Sequence, residues 1–186
     1  MAGSTSSGRS LLSLFWTPVV AVGCGNGARV NAQISVSTFG ASIVPDRPRL
    51  INVLYKANFT HELVLAKGSF ALSVLAAGQT DLLHALGFSS GRESDKLAGL
   101  DFTLSPRGNP VFEGSLGWVE CEVIDALDLG DATAFLGAVV DSHRTGEAEP
   151  MIWSEVRREL PPAWMEEWER KIAGDIERSR EAMRWV

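Results

Sequence analysis

Positive charge is the scarcer sign in this chain: 17 Lys and Arg stand against 23 Asp and Glu, a net charge of −6 with the histidines neutral. With an isoelectric point near 5.1, the chain lacks the basic surface that generic nucleic-acid binding requires. Long apolar runs are missing too. The longest near the start, residues 15–24, falls short of the about 20 residues that span a bilayer, so no membrane span is expected. Cysteine is scarce: Cys24 and Cys121 each sit in an apolar, strand-like run. Two buried thiols in a reducing cytoplasm suit this pattern better than a disulfide or a metal pair. The three histidines, His61, His84 and His143, have no ligand spacing such as HExxH, which argues against zinc. No GxSxG elbow and no P-loop occur. The glycines at 23–27 have the composition of a phosphate loop, but the segment after them reads as a strand. A Rossmann dinucleotide site therefore fails on context.

What is present suits one substantial domain, or one domain with an appendage. The chain has 186 residues, 45% apolar and 22% charged, as in globular proteins. Residues 1–10 are rich in Gly and Ser, lack a basic leader pattern, and read as a disordered tail. From 18 to about 141 the pattern is mostly β. Strands are expected at 18–24, 29–37, 50–55, 70–75, 100–104, 116–126 and 133–140, with turns at 25–27 and 128–131. Short helices are expected at 61–66, with Thr60 as N-cap and Gly68 as the stop, and at 80–86, capped by Thr80 or Asp81. Many strands and few short helices point to a barrel rather than a parallel sheet. After Trp153 the composition turns helical. Over 163–185, Trp164, Trp168, Ile172, Ile176 and Met183 recur at helical spacing and predict a stripe that packs on the barrel or on a partner subunit.

Three polar groupings could carry chemistry. Lys56, Asn58 and Thr60 cluster where a strand runs into a helix N-terminus, the setting an anion such as phosphate needs; an ordinary capped turn reads the same way. Asn31, Gln33, Ser35 and Ser37 alternate with Val30, Ala32, Ile34 and Val36. The first set offers uncharged donors and acceptors that suit the edge of a heteroaromatic ring, or a solvent-facing strand. The segment 89–96 places Arg92 and Lys96 among hydroxyls around Gly91. It suits closure on an anionic ligand, or a solvated loop.

Four segments in order resemble the flavin reductase-like family of the FMN-binding split barrel. They are Asn31-Ala-Gln-Ile-Ser-Val-Ser-Thr-Phe-Gly-Ala-Ser42, Lys56-Ala-Asn-Phe-Thr-His-Glu62, Gly87-Phe-Ser-Ser-Gly-Arg-Glu-Ser-Asp-Lys-Leu-Ala-Gly-Leu100, and Trp118-Val-Glu-Cys-Glu-Val123 with Gly130-Asp-Ala-Thr-Ala-Phe-Leu-Gly137. The resemblance runs through about 11–153. It implies a mainly β, six-stranded Greek-key split barrel with short helices and a helical extension at 154–186, working as a homodimer. It implies FMN near the subunit interface, with Lys56, Asn58 and Thr60 on the phosphate. Gln33, Ser35 and Ser37 would lie along the isoalloxazine ring, with Ala41 and Ser42 close through backbone groups. Ser90, Gly91, Arg92 and Lys96 would form a loop touching the phosphate or ribityl chain. No catalytic acid or base and no metal ligand is expected. The implied activity is an FMN-binding oxidoreductase taking hydride from NADH or NADPH and passing electrons to a partner oxygenase or another acceptor. The alternative is a flavin-binding electron-transfer or storage protein without turnover of its own. Two departures bear on this choice. The family's Met-Thr pair is Gln33-Ile34, and the His of its Gly-Asp-His is Ala132. FMN binding is thus better supported by the sequence than reductase activity.

Overall fold

The computed structural model describes residues 11–25, 27 and 29–183. The expected tail at 1–10, the centre of the turn at 25–27 and the last residues of the expected terminal helix lie outside the described residues. The strands are β1 (Val20–Gly25), β2 (Val30–Ser35), β3 (Thr38–Gly40), β4 (Arg49–Tyr55), β5 (Ser69–Val74), β6 (Phe102–Leu104), β7 (Pro110–Phe112), β8 (Gly117–Asp128) and β9 (Ala132–Arg144). The helices are α1 (Phe59–Lys67), α2 (Thr80–Gly87), α3 (Trp153–Val156) and α4 (Pro162–Ala182). Seven strands form one antiparallel sheet in the order β2-β1-β5-β8-β9-β4-β3, and β6 with β7 makes a separate ribbon.

The sheet curls on itself. Its two end strands, β2 and β3, are separated in sequence only by Val36 and Ser37, so the ends must meet. They do: the Val53 amide donates to the Ser37 carbonyl at 3.0 Å. The Asn52 side-chain amide donates to the hydroxyls of Ser35 and Thr38, at 3.3 and 2.5 Å. This corrects the expected six strands to seven in the main sheet. The run 29–37 reads as one strand by alternation, yet its ladder with β1 ends at Ser35, and the Ser37 carbonyl already accepts from Val53 of β4. Ser35 pairs with Val20 of β1, whereas Thr38 pairs with Asn52 of β4. Alternation reports which face a residue takes, not which strand lies beside it.

Burial follows from composition. β1 is buried along its whole length and carries small and branched apolar residues on both faces. Val20, Val22 and Cys24 join Leu54, Leu63, Phe70, Leu72 and Phe135 on one side; Val19 and Ala21 join Leu83, Leu86, Phe112 and Trp153 on the other. Helix α1 starts at Phe59 rather than His61. Asn58 holds the N-cap position, so Thr60 lies inside the first turn instead of capping it. Gly68 ends the helix in the left-handed region, φ 74°, and its amide returns to the Val64 carbonyl at 2.9 Å. Gln79, rather than Thr80 or Asp81, precedes α2. The hairpin turn at 128–131 is as expected, with the Gly130 amide donating to Asp128 Oδ1 at 2.8 Å. Among the described residues no helix is long and apolar enough to cross a membrane.

Helix α4 docks through the start of its stripe. Trp164, Met165 and Trp168 pack on the cluster around Trp153 and α2. The Trp164 ring stacks on His84 at 4.0 Å between centroids, and Trp168 meets Trp153 at 5.3 Å.

Candidate functional site

A cavity of about 570 Å³ runs along β2, bounded by α2 and the segment after it, by Val53 and Tyr55 of β4, and by α4. Asn31, Gln33 and Ser35 line it together with Ile34 and Val36, which point to the opposite side of the strand. Residues of both faces reach one cavity only if the strand approaches it edge-on. The topology agrees, since β2 ends the sheet and pairs with β1 alone among the described strands. An open strand edge carries unpaired backbone donors and acceptors. The polar face of β2 is therefore not solvent-facing: Asn31, Gln33 and Ser35 are buried.

Among the described residues, one buried atom on this wall lacks a partner. Gln33 is 7% exposed, and its Oε1 accepts no hydrogen bond. An unpaired buried acceptor costs free energy unless a ligand donates to it. Asn31 is engaged: its amide donates to the Thr60 hydroxyl at 2.8 Å, tying β2 to the first turn of α1. Gly91 presses against the same carboxamide, and a Cβ there would lie 2.2 Å from Asn31 Oδ1. A larger residue at 91 would require the Asn31 carboxamide or the loop to shift.

The structure gathers eight of the twelve residues singled out from the sequence: Gln33, Ser35, Ser37, Asn58, Thr60, Ser90, Gly91 and Lys96 all line the cavity. Lys56, Ala41, Ser42 and Arg92 do not form its wall. Lys56 is paired with Asp128 at 2.6 Å. Arg92 makes a two-pronged pair with Glu62, at 2.9 and 2.6 Å, and lies over the Phe59 ring. That pair raises the Arg92 pKa and lowers that of Glu62. Ala41 donates its amide to the Arg49 carbonyl, and Ser42 is exposed in the following loop. Lys96 is the buried cation of the wall. Its ammonium donates to the Leu86 carbonyl at 2.6 Å, and burial, with Lys171 nearby, brings its pKa down to about 7. His61 belongs to the core, not the cavity. It contacts the Thr133 hydroxyl at 2.8 Å, and burial lowers its pKa.

Sequence reasoning missed the far wall. Trp16, Tyr55, Lys171, Ile172, Asp175, Ile176 and Met183 also line the cavity, most of them from α4. The stripe of α4 was visible as periodicity; its destination was not. A second cavity of about 310 Å³ continues from the first between Asn58, Ser89, Ser90 and the polar side of α4.

Residues 12–159 match the model of the flavin reductase like domain. The chain belongs to that family. This flavin reductase-like chain is 34% identical over 141 residues to a high molecular weight rubredoxin of Moorella thermoacetica, covering 73% of this chain and 61% of that protein. It superposes on an FMN-binding protein from Thermus thermophilus with a TM-score of 0.67 and 31% identity, covering 77% and 82% of the two chains. It superposes on a Streptomyces globisporus NADH:FAD oxidoreductase with a TM-score of 0.69 and 26% identity, covering 76% and 84%. Reductase subunits of flavin-dependent monooxygenases are also among the relatives. The chain spans about half the length of the curated relatives it matches. Helix α4 begins at Pro162, beyond the residues matched by the family model.

Proposed function

We propose that this flavin reductase-like chain binds a flavin, FMN foremost, along the open edge of β2 and reduces it with NADH or NADPH. The observation that carries the reading is the unpartnered Gln33 Oε1 on the wall of an apolar-sided cavity of about 570 Å³. That volume suits a ligand of this class, and the wall has the required chemistry: apolar surfaces with few, placed polar groups. A flavin bound there supplies a hydride-accepting ring and an electron carrier.

The chain's own residues then have separable tasks. Gln33, Ser35, Ser37 and the free edge of β2 offer acceptors and donors to a polar ring edge. Val53, Ile34, Trp16 and Ile172 cover ring faces and exclude water. Lys96 places a donor in the same wall, where low dielectric strengthens its interaction with developing negative charge. Asn58 and Thr60, with Ser90 and Gly91, border the end nearest the α1 N-terminus, which suits a phosphate. Electrons then pass to a partner oxygenase or another acceptor, a reading supported by the monooxygenase reductase subunits among the relatives.

We read the curled sheet as a split Greek-key barrel that works as a homodimer. Directly paired residues share a face of the sheet, and Phe39, Ile51 and Leu136 pair in one row, Val53, Ala134 and Leu127 in the next. Phe39, Tyr55 and Leu127 are 43, 52 and 65% exposed, an apolar face open to a second copy. Val53 and Tyr55 also border the cavity, so a second copy here would adjoin the flavin. Cys24 and Cys121 are free and buried, their pKa values pushed up to about 12 by burial, in keeping with a reducing cytoplasm.

A second reading is a flavin-binding electron-transfer or storage protein without nicotinamide turnover. Ala132 favours it, a buried methyl where the family motif carries imidazole. Flavin-fluorescence titration tests what both readings share. Saturable quenching by the purified chain supports a flavin site, and the order of FMN and FAD affinities names the preferred form. No quenching with either removes both readings.

A further inference from the structure

We infer that Lys171 of the C-terminal helix, and not Lys56, is the cation that recognises the phosphate of the bound flavin. The inference rests on the flavin reading above and adds a residue from outside the matched family domain.

Among the described residues, Lys171 alone of the cations lines both cavities: Arg180 lines only the main one and pairs with Glu177 at 3.3 Å, and Arg170 and Arg178 line only the continuation. Lys56 lies outside the cavity wall and is held by Asp128 at 2.6 Å. Arg92 also lies outside it, clasped by both oxygens of Glu62. Lys96 is in the wall, but its ammonium is 2.6 Å from the Leu86 carbonyl on the α2 side. Lys171 lines both the main cavity and its polar continuation, where it shares the wall with Asn58, Ser89 and Ser90. It therefore faces the hydroxyls, amide and α1 N-terminus that suit a phosphate.

The charges around this continuation are mixed. Arg170, Lys171 and Arg178 line it together with Glu93, Glu167 and Asp175, and Lys96 and Arg180 add two further cations from the main cavity. Glu167 is engaged with His84 at 2.8 Å. Asp175 is shared between Lys171, at 2.7 Å, and Arg178, at 2.5 Å. Its carboxylate stands where an anionic ligand would compete for Lys171, while Arg178 is placed to retain it. Lys96 and Lys171 repel one another across the wall. A phosphate beside Lys171 would relieve that repulsion. Both FMN and FAD present such a group; riboflavin does not.

The test is a fluorescence titration of the full chain with riboflavin, FMN and FAD. Wild type is compared with Lys171→Met, Asp175→Asn and Lys56→Met. The expected result for Lys171→Met is a loss of about tenfold or more for FMN and FAD with riboflavin unchanged, as for a charge-assisted contact. Asp175→Asn removes the competing carboxylate and should tighten FMN while leaving riboflavin unchanged. Lys56→Met should leave all three unchanged. Equal losses for the three flavins in Lys171→Met would overturn the inference and mark a packing role for the helix. So would loss of FMN in Lys56→Met with Lys171→Met unaffected. Unchanged flavin affinities in Lys171→Met with a raised KM for NADH would also overturn it, placing the dinucleotide at Lys171. A wild-type chain that binds no flavin would instead remove the underlying reading.

Discussion

The side-chain amide of Asn31 donates to the Thr60 hydroxyl at 2.8 Å, and this bond joins the open edge strand to the first turn of α1. Both residues are buried, and Gly91 closes on the same carboxamide from the loop after α2. Three segments far apart in sequence thus meet at one amide on the cavity wall.

That contact can be tested by substitution on either side. Asn31→Ala leaves the Thr60 hydroxyl buried without its partner and should cost about 1–3 kcal/mol of stability. Gly91→Ala forces the loop away from Asn31 and should weaken flavin binding. Because the two residues touch, the double variant should lose less than the sum of the singles. Urea unfolding and flavin titration of the four proteins measure the coupling; strict additivity would show that Gly91 and Asn31 act apart.

Gln33 should behave oppositely in the free and bound states. Its unpaired Oε1 destabilises the free protein. Gln33→Met is therefore expected to leave the unfolding midpoint of the flavin-free chain equal or higher, while weakening flavin by roughly tenfold through the lost acceptor. A variant less stable when free and unchanged toward flavin would place the Gln33 carboxamide in a structural role.

Stability should depend on pH through Lys96. In the fold its pKa is lowered to about 7 by burial, whereas an unfolded lysine titrates near about 10.4. Between these values the unfolded chain binds more protons, so stability rises as pH climbs through the window. The slope is at most about 1.4 kcal/mol per pH unit. Below pH 7 both states are protonated and the cost of the buried charge is fully present. Lys96→Met should flatten the rise. Urea midpoints at pH 7 and pH 9 for the two proteins decide it, since an equal rise in both would assign the effect to another group.

The docking of α4 should control escape from the cavity. His84 stacks on Trp164 at 4.0 Å and contacts Glu167 at 2.8 Å, fixing the first turns of the helix against α2. His84→Ala should speed flavin dissociation in stopped-flow displacement with little effect on the global unfolding midpoint. An unchanged rate would mean that α4 does not gate the site.

Much of the fold was legible where local chemistry decides it. The hairpin of β1 and β2, the Gly68 helix stop and the 128–131 turn each follow from residues within a few positions. The polar set on β2 was legible as well, because alternation marks Gln33 and Ser35 whatever lies opposite them. What depends on distant partners was not. The change of partner between Ser35 and Thr38 produced the seventh strand of the main sheet, and alternation, which runs on through Ser37, does not mark where β2 stops. Lys56 has the local setting of an anion ligand, yet its counter-ion Asp128 stands 72 residues away. The stripe of α4 showed an apolar face, but nothing within the helix says that Ile172 and Ile176 close a cavity while Trp164 reaches the core and Trp168 touches both.

The most direct test of the account is anaerobic stopped-flow absorbance of the FMN-loaded chain, mixed separately with NADH and NADPH and followed at the flavin band. The account predicts rapid bleaching with at least one nucleotide, whose faster rate names the preferred donor. A flavin band that persists with both, in a chain that binds FMN tightly, would contradict the reductase and leave the electron-transfer or storage protein.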